Sequence, residues 1–295
     1  MDYIISTRIR TRLMRIILPQ WQFGYSLLRM TCHIISSLVY LVFVYLYPYR
    51  RKVINNNIMR SFPSVSSEER EIFLKRYYQH LADLFTEFFL IHFGSEQAVN
   101  RLVRYENPGF PGNILNEGKD VVILASHYGN WEYLLSLPDV VDCEVITGYS
   151  PVGWKWLNKL LKNMRSRYGM RLIDKKDWYK HCLCHQSDKP TVYLSVTDQR
   201  PVRKTQDTVS FLNQQTFVQC GGARLAERKS AATFYLDVRK SKRNVYSFRF
   251  VELSDGTASK AEIMERYFCC LEKTIRHEPE LWLWSHNRWQ FRSRS

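Results

Sequence analysis

The sequence predicts an α/β fold, a mixed sheet flanked by helices, with a membrane-associated helix at its N-terminus. Four short apolar runs between residues 121 and 196 alternate with helical stretches, as in a sheet that helices cover on both faces. Two longer β-rich runs, 232–239 and 245–253, are joined by turn residues, which predicts a hairpin. The most apolar stretch lies near the N-terminus and is flanked by basic residues. These observations indicate one large domain that follows an anchor.

The anchor is predicted from residues 31–49, which contain no Lys, Arg, Asp or Glu and approach the ~20 residues that a spanning helix needs. Tyrosines end this run and a basic triplet at 50–52 follows it, as at a membrane interface. Residues 8–21 mix arginines with apolar side chains and suit the headgroup plane. The sequence has no small-residue cleavage site after this run, so we do not predict a removable signal peptide. We therefore predict a membrane anchor over 1–50 and a catalytic domain over 51–295.

The same charges predict an orientation for this anchor. If the segment spans the bilayer, the positive-inside rule places the chain from Arg50 onward in the cytoplasm. On that topology the domain that follows the anchor lies on the cytoplasmic face of the membrane. Two alternatives stay open: an anchor that lies flat in the interface, and a buried helix of a soluble domain, which His33 favours.

The formal net charge of +15 indicates an anionic partner. Residues 1–60 hold nine basic residues and one acidic residue, a difference of +8 that is about half of the total. Because this excess flanks the apolar run, it suits anionic membrane phospholipid better than a nucleic-acid groove. No nucleic-acid motif appears in the sequence, so we expect no nucleic-acid partner.

The seven cysteines are irregularly spaced, which gives no disulfide framework and favours a reducing compartment. One cluster contains possible metal ligands: His181, Cys182, Cys184 and His185. These residues are closer together than the usual zinc-ligand pairs. We therefore predict a helix surface there and no metal site.

The remaining elements follow in chain order. A helix over 67–92 begins at Ser66 or Ser67, either of which can cap it. Glu87 falls within its apolar face, either as a functional carboxylate or as an ordinary buried acid. The predicted strands are 121–126, 143–148, 171–174 and 191–196, and the further predicted helices are 130–137, 153–168, 175–186 and 257–277.

The first of these strands runs into ILASHYGNWEYL (123–134), where a histidine and a glutamate lie five positions apart. On one helix their side chains would point about 140° apart, so the pair can meet only if His127 precedes the helix on a turn. Gly129 gives that turn its freedom, and Asn130 caps the helix. The helix dipole keeps Glu132 ionised in the first turn. We expect Glu132 to bend back to one imidazole nitrogen and raise the basicity of the other.

This geometry predicts general-base chemistry. The sequence places no serine or cysteine nearby as a nucleophile, so the base would deprotonate a substrate hydroxyl that attacks an activated carbonyl directly. The alternative is a structural histidine at a strand end, followed by an ordinary helix acid.

The segment SHYGNWE resembles the HxGNWE form of the His-x4-Asp/Glu motif in the bacterial lipid A late acyltransferases, which belong to the glycerolipid acyltransferases. Four further segments resemble the same family, and together they cover nearly the whole chain, from about residue 25 to 291. These segments are YRRKVINNNIMRSFP (49–63), MRSRYGMRLID (164–174), VTDQRP (196–201) and PELWLWSHNRWQ (279–290). One departure is Asn213, where many relatives have glycine in a patch that bears on the acyl-chain pocket.

The resemblance implies transfer of a fatty acyl chain, usually from acyl carrier protein, to a hydroxyl of an anionic glycolipid, the lipid A precursor. His127 would be the base and Glu132 its orienting partner. Arg165, Arg167 or both would bind a phosphate or stabilise the tetrahedral oxyanion. The implied substrate-binding residues are Asn130, Arg165, Arg167, Gly169 and Asp198, the last at the rim of the cleft. No cofactor is implied beyond the acyl donor, acyl carrier protein or acyl-CoA.

The two arginines are expected to differ in role. Arg165 and Arg167 are two positions apart, so on a helix they point about 200° apart. One should face the cleft. We favour Arg165, because Arg167 directly precedes Tyr168-Gly169, where the helix should end.

Other functions stay open at this point. The same chemistry on another lipid, such as an aminolipid or a lysophospholipid, fits the motif equally well. A non-catalytic lipid-binding protein of the same fold is a second alternative, which the intact His127/Glu132 pair disfavours. A hydrolase is disfavoured because Gly148-Tyr149-Ser150 lacks the closing glycine of a nucleophile elbow, with valine at 152.

Overall fold

The structure is a computed structural model that describes residues 24–151 and 153–291. Its strands, in chain order, are β1 (Val103–Tyr105), β2 (Val121–Ala125), β3 (Glu144–Tyr149), β4 (Arg171–Asp174), β5 (Thr191–Val196), β6 (Thr208–Phe211), β7 (Gln214–Phe217), β8 (Ala232–Lys242) and β9 (Val245–Ser254). In this part of the chain a seven-stranded sheet has the order β1-β9-β8-β2-β5-β3-β4, and β6 pairs with β7 in a separate hairpin. The predicted α/β fold with a mixed sheet is confirmed.

The sheet brings one set of strand ends together. β8, β2, β5, β3 and β4 run parallel, whereas β9 is antiparallel to β8. Every residue of β2 is buried, which explains why Val121–Ala125 is a continuous apolar run. The carboxyl ends of β2, β5 and β3 therefore meet at one edge, the usual place for a site in an open parallel sheet.

Helices cover the sheet. In chain order they are α1 (Gly24–Leu46), α2 (Arg51–Ser61), α3 (Ser67–Phe93), α4 (Glu96–Asn100), α5 (Gly109–Asn116), α6 (Leu137–Val141), α7 (Lys155–Arg165), α8 (Trp178–Cys184), α9 (Gly221–Lys229) and α10 (Lys260–His277). Capping boxes begin two of the longest: Ser66 with Glu69 begins α3, and Ser259 with Glu262 begins α10. Of the two predicted caps for α3, the structure uses Ser66.

The N-terminal helix α1 is the one candidate for a membrane span among the described residues, judged by length and composition, with a mean hydropathy of 1.8. One side of it packs on the rest of the chain: Cys32 and Ser36 are buried, and Ser36 Oγ donates a hydrogen bond to Asp83 of α3 at 2.7 Å. The other side exposes large apolar side chains, including Leu27, Met30, Ile34, Leu38 and Leu41. The segment 8–21, predicted to lie in the headgroup plane, falls outside the described residues.

The structure differs from the prediction at several elements. The helix predicted over 130–137 is a 3-10 helix, Trp131–Ser136, that continues into α6, and the helix predicted over 153–168 ends at Arg165. The sequence patterns miss β1, the β6–β7 hairpin and the helices α2, α4, α5 and α9. β1 is only three residues long, and α9 begins without a side-chain cap. The hairpin strands are rich in polar residues and turn at Leu212 and Asn213, both at positive φ.

Candidate active site

A cavity of about 290 Å³ opens at the carboxyl edge of β2, β5 and β3. We call it the catalytic cavity. Part of its lining is apolar: Leu134, Leu135, Met170, Leu172, Trp178 and Leu194. Polar and charged side chains are also present, including His127, Glu132, Arg165, Lys175, Gln199 and Gln219. The cavity therefore combines a surface for an apolar chain with groups for acid–base chemistry and anion binding.

His127 lies on a strand-to-turn connection that the C-terminal segment holds in place. Its backbone carbonyl accepts a hydrogen bond from the Leu283 amide at 3.1 Å, and the Gly129 amide donates to the Leu281 carbonyl at 2.9 Å. Gly129 has φ +60°, and a Cβ there would lie 3.0 Å from Val238 Cγ1, so a larger residue would strain the turn. The structure thus places His127 before the helical turn, as the spacing predicts.

Asp198 is the carboxylate that holds His127. Nδ1–H of His127 donates to Oδ1 of Asp198 at 2.7 Å, and the indole N–H of Trp282 donates to Oδ2 at 2.9 Å. Burial by itself raises the pKa of Asp198, but the His127 charge and the hydrogen bonds from His127 and Trp282 outweigh burial, so the pKa lies below its ordinary value. An ionised Asp198 fixes the proton of His127 on Nδ1. The predicted position of Asp198 at the cleft rim is wrong, because its side chain is 1% exposed and lies outside the cavity lining.

Glu132 does not contact the imidazole, so the predicted His127–Glu132 hydrogen bond is wrong. Both carboxylate oxygens of Glu132 instead accept hydrogen bonds from Arg165, from Nε at 2.9 Å and from Nη2 at 2.5 Å. There are two physical reasons. Asp198 already occupies Nδ1, and a permanently charged guanidinium binds a carboxylate bidentately and more strongly than a neutral imidazole does. Glu132 and Arg165 together form a charge-balanced wall of the catalytic cavity.

The second imidazole nitrogen, Nε2, is free to act as a base. The side-chain amide nitrogen of Gln199 lies 3.2 Å from it and can donate to its lone pair. The Trp131 ring packs edge-on against the imidazole, with 4.7 Å between ring centroids. Within residues 24–151 and 153–291, no serine, threonine or cysteine hydrogen-bonds to His127. Thr147, Ser150 and Ser195 line the cavity without that contact.

Asn130 links the catalytic turn to a buried carboxylate rather than to the cavity. Its Oδ1 accepts from the Glu132 amide at 2.9 Å, as a helix cap, and its Nδ2 donates to Glu87 at 2.6 Å. Asn244 and Tyr246 also donate to Glu87, at 2.8 and 3.1 Å. Burial raises the pKa of Glu87, and the hydrogen bonds from Asn244 and Asn130 oppose that rise. Asn130 lies outside the cavity lining, so its contacts are those of a positioning residue.

Arg165 and Arg167 point to different places, as their spacing predicts. Arg165 ends α7 and lines the catalytic cavity. Arg167 donates to the carbonyls of Ile91 and Gly94, at 3.2 and 2.6 Å, at the C-terminus of α3, where a cation complements the helix dipole. Gly169 has φ +82° in the turn before β4 and, like Arg167, lies outside the cavity lining. Their predicted contacts with substrate stay predictions.

The N-terminus of α9 forms part of the cavity wall. Gln219 and Gly221 line the cavity, and the cap position, Cys220, makes no side-chain hydrogen bond to the helix. The first amides of α9 and the positive end of its dipole suit an anion at this wall. Gly222 allows α9 to approach the sheet, because a Cβ there would lie 2.6 Å from Leu124 Cδ2.

The sequence patterns do not predict that His127 pairs with Asp198 or that Gln199 contacts the imidazole ring. One signal for the first contact is present in the strand pairing. Ala125 of β2 pairs with Val196 of β5 in parallel register. His127 and Asp198 therefore each follow their paired strand ends by two residues. Polar residues at equal offsets beyond neighbouring parallel strands are candidates for contact, but the sequence alone does not say that β2 and β5 are neighbours.

The fold and the site define an α/β protein that carries a histidine hydrogen-bonded to a buried carboxylate at the carboxyl edge of a mostly parallel sheet. In a comparison with protein families, residues 13–291 match the family described as bacterial lipid A biosynthesis acyltransferase. Because the match covers nearly the whole chain, the protein belongs to this family. A comparison with curated proteins finds no match.

Proposed function

We propose that the protein is an O-acyltransferase that moves a fatty acyl chain from an acyl thioester to a hydroxyl of a lipid A precursor. The observation that carries this proposal is the hydrogen bond from His127 Nδ1 to Asp198. It leaves Nε2 as an unprotonated nitrogen beside the catalytic cavity, and no serine, threonine or cysteine among the described residues hydrogen-bonds to His127. Membership of the family supports a lipid A precursor as the acceptor.

The reaction balances with His127 as the only proton carrier. Nε2 removes the proton from the acceptor hydroxyl while the oxygen attacks the thioester carbonyl carbon. The tetrahedral intermediate then breaks its C–S bond, and the leaving sulfur takes the proton from Nε2. The products are an ester and a free thiol, and Asp198 stabilises the transient imidazolium without moving a proton itself.

Negative charge on the carbonyl oxygen and on substrate phosphates requires positive partners. The N-terminus of α9 at Gly221 and the Lys175 ammonium both line the catalytic cavity and are suited to this role. Arg165 is already paired with Glu132, so we assign Glu132 to positioning Arg165 in the cavity wall rather than to orienting His127.

The apolar part of the cavity suits the acyl chain. Leu134, Leu135 and Met170 line the same cavity as His127, so a chain packed on them would hold its carbonyl near the base. The donor is acyl carrier protein or acyl-CoA, which both present the acyl group as a thioester. The exposed apolar side of α1 supports association with a membrane, and we assign the catalytic domain to the cytoplasmic face of the inner membrane from the basic residues that follow α1.

The second candidate function is the same chemistry on an aminolipid or a lysophospholipid, because a general base does not distinguish one acceptor hydroxyl from another. Purified full-length protein should be given an acyl-acyl carrier protein and each acceptor in turn, with mass spectrometry of the lipids. We expect the lipid A precursor to gain the mass of one fatty acid less one water, and no such gain with His127→Ala. Acylation of only the lysophospholipid or the aminolipid would overturn the acceptor assignment, and no acylation of any acceptor would overturn the enzyme assignment.

A further inference from the structure

A second cavity, of about 740 Å³, lies away from the catalytic cavity and shares no lining residue with it. We call it the basic cavity. The start of α1, the end of α3, α4 and the turn between β8 and β9 enclose it. Its lining residues that matter here are Tyr25, Arg29, Phe93, Arg101 and Lys242.

The charge of the basic cavity is one-sided. Arg29, Arg101 and Lys242 line it, and none of its lining residues in the described chain is acidic. None of these three cations forms an ion pair with a described residue. Many other basic side chains of the structure do, such as Arg243 and Lys240 with Asp83. Unneutralised cations around one cavity favour an anionic occupant.

Two residues that line the basic cavity also carry hydrogen-bond donors without partners. The Tyr25 hydroxyl and Arg29 Nε are both buried atoms without a hydrogen-bond partner in the described structure. Arg29 Nη2 makes one long hydrogen bond, of 3.4 Å, to the Arg243 carbonyl. Buried donors are normally satisfied, and an anion with several acceptor oxygens, such as a phosphate, would satisfy both groups while it neutralises Arg29.

The surroundings of the basic cavity are apolar, which selects a lipid over a soluble phosphate. Phe93 lines the cavity and is 64% exposed. Leu27, Met30 and Ile34 are exposed along α1, whose first turn forms one wall of the cavity. They recur at the three- and four-residue spacing of one helix face, opposite the face that carries Tyr25 and Arg29, so α1 turns its cation toward the cavity and its apolar strip away from the protein.

We propose that the basic cavity binds the phosphate headgroup of an anionic phospholipid whose acyl chains leave the cavity beside the exposed Phe93. This site is separate from the catalytic cavity and does not depend on the reaction assigned there. A bound lipid would fasten α1 to α4 and to the β8–β9 turn.

The test uses full-length protein in a neutral detergent. Native mass spectrometry and thermal unfolding should be recorded with phosphatidylglycerol, phosphatidylcholine or inorganic phosphate. We expect a single tightly held phosphatidylglycerol that raises the Tm, weaker binding of phosphatidylcholine, and no effect of inorganic phosphate. Equal stabilisation by inorganic phosphate would overturn a lipid site, and the absence of any phosphatidylglycerol adduct would overturn the proposal.

Replacing the three cations together, as Arg29→Gln, Arg101→Gln and Lys242→Gln, should weaken phosphatidylglycerol binding about a hundredfold. The matched control removes the same charge from three exposed cations without ion pairs among the described residues. These control substitutions are Lys75→Gln, Lys204→Gln and Arg228→Gln. The control should bind like the wild type, and equal weakening of both variants would show only a general charge effect and overturn the site.

A single conservative variant keeps the test informative if the triple variant does not fold. Tyr25→Phe removes one unpartnered hydroxyl and no charge, and we expect about two- to tenfold weaker phosphatidylglycerol binding. Unchanged binding in Tyr25→Phe, together with unchanged binding in the triple variant, would overturn the assignment of the cavity.

Discussion

Replacing Asp198 with asparagine tests the hydrogen bonds that make His127 a base. The new side chain has almost the same shape but only one acceptor oxygen. The indole N–H of Trp282, now 2.9 Å from Oδ2, needs an acceptor, so the amide oxygen should face Trp282 and the NH₂ group should face Nδ1 of His127. Nδ1 must then accept a hydrogen bond, which moves the ring proton to Nε2. The base nitrogen would be blocked.

The expected loss follows from that tautomer. A general base contributes about 10²–10⁴-fold to rate, which corresponds to about 2.7–5.5 kcal/mol at about 1.36 kcal/mol per factor of ten. Asp198 is 1% exposed and lies outside the cavity lining, so it makes no substrate contact that would change KM. The loss should therefore appear in kcat.

The assay is steady-state acyl transfer by purified Asp198→Asn, with circular dichroism to confirm folding. Asp188→Asn is the matched control, because Asp188 is exposed in the connection between α8 and β5. We expect the control to keep the wild-type kcat. If Asp198→Asn turns over within a few-fold of the wild type, the assigned tautomer of His127 is refuted.

Three further predictions follow from the structure. Arg165→Ala should sharply reduce turnover, because Glu132 loses its partner beside the substrate. Arg167→Ala should lower the Tm with little effect on turnover, because Arg167 binds the backbone carbonyl of Gly94 outside the cavity. Turnover and Tm should be measured in parallel for both variants. Gly129→Ala should destabilise the protein by about 1–3 kcal/mol in urea denaturation, because φ is +60° and the new methyl meets Val238. Since the pKa of Asp198 is lowered in the folded state, its stabilising contribution is present above its unfolded pKa of about 4 and is lost as pH falls through the folded pKa. The difference in unfolding free energy between wild type and Asp198→Asn should thus shrink in acid, as urea denaturation at several pH values would measure.

Each of these predictions has a contrary result. Equal loss of turnover in both arginine variants would mean that both side chains act in the catalytic cavity. Gly112→Ala is the control for Gly129→Ala, because its Cβ would meet open space within α5, and equal ΔΔG values for the two would remove the strain argument. A stability difference that grows toward acid would contradict the lowered pKa of Asp198.

The sequence predicts the fold where pattern and length are decisive. The apolar runs that become β2 and β5, and the long helix α3, are recognisable because buried strands are apolar throughout and a long helix repeats its apolar face. β1 has three residues and the β6–β7 hairpin is partly polar, so neither carries a strong periodic signal.

The site is only half predictable for a different reason. His127 and Gly129 form a local turn, so their spacing alone predicts their placement. The partner of His127 is set by sheet order, and Asp198 is 71 residues away along the chain. Glu132 is the nearest carboxylate in sequence, but its partner is Arg165, which arrives from α7. Local spacing cannot decide between two carboxylates when the choice depends on which strands are neighbours.

The most direct test of the central claim is a single-turnover measurement of ester formation on the lipid A precursor by wild type and His127→Ala. Both proteins should be saturated with the same acyl thioester, and the product should be counted by mass spectrometry. The account predicts that folded His127→Ala forms the ester about 10²–10⁴-fold more slowly than the wild type. Ester formation by His127→Ala at a rate within a few-fold of the wild type would contradict the claim that His127 deprotonates the acceptor hydroxyl.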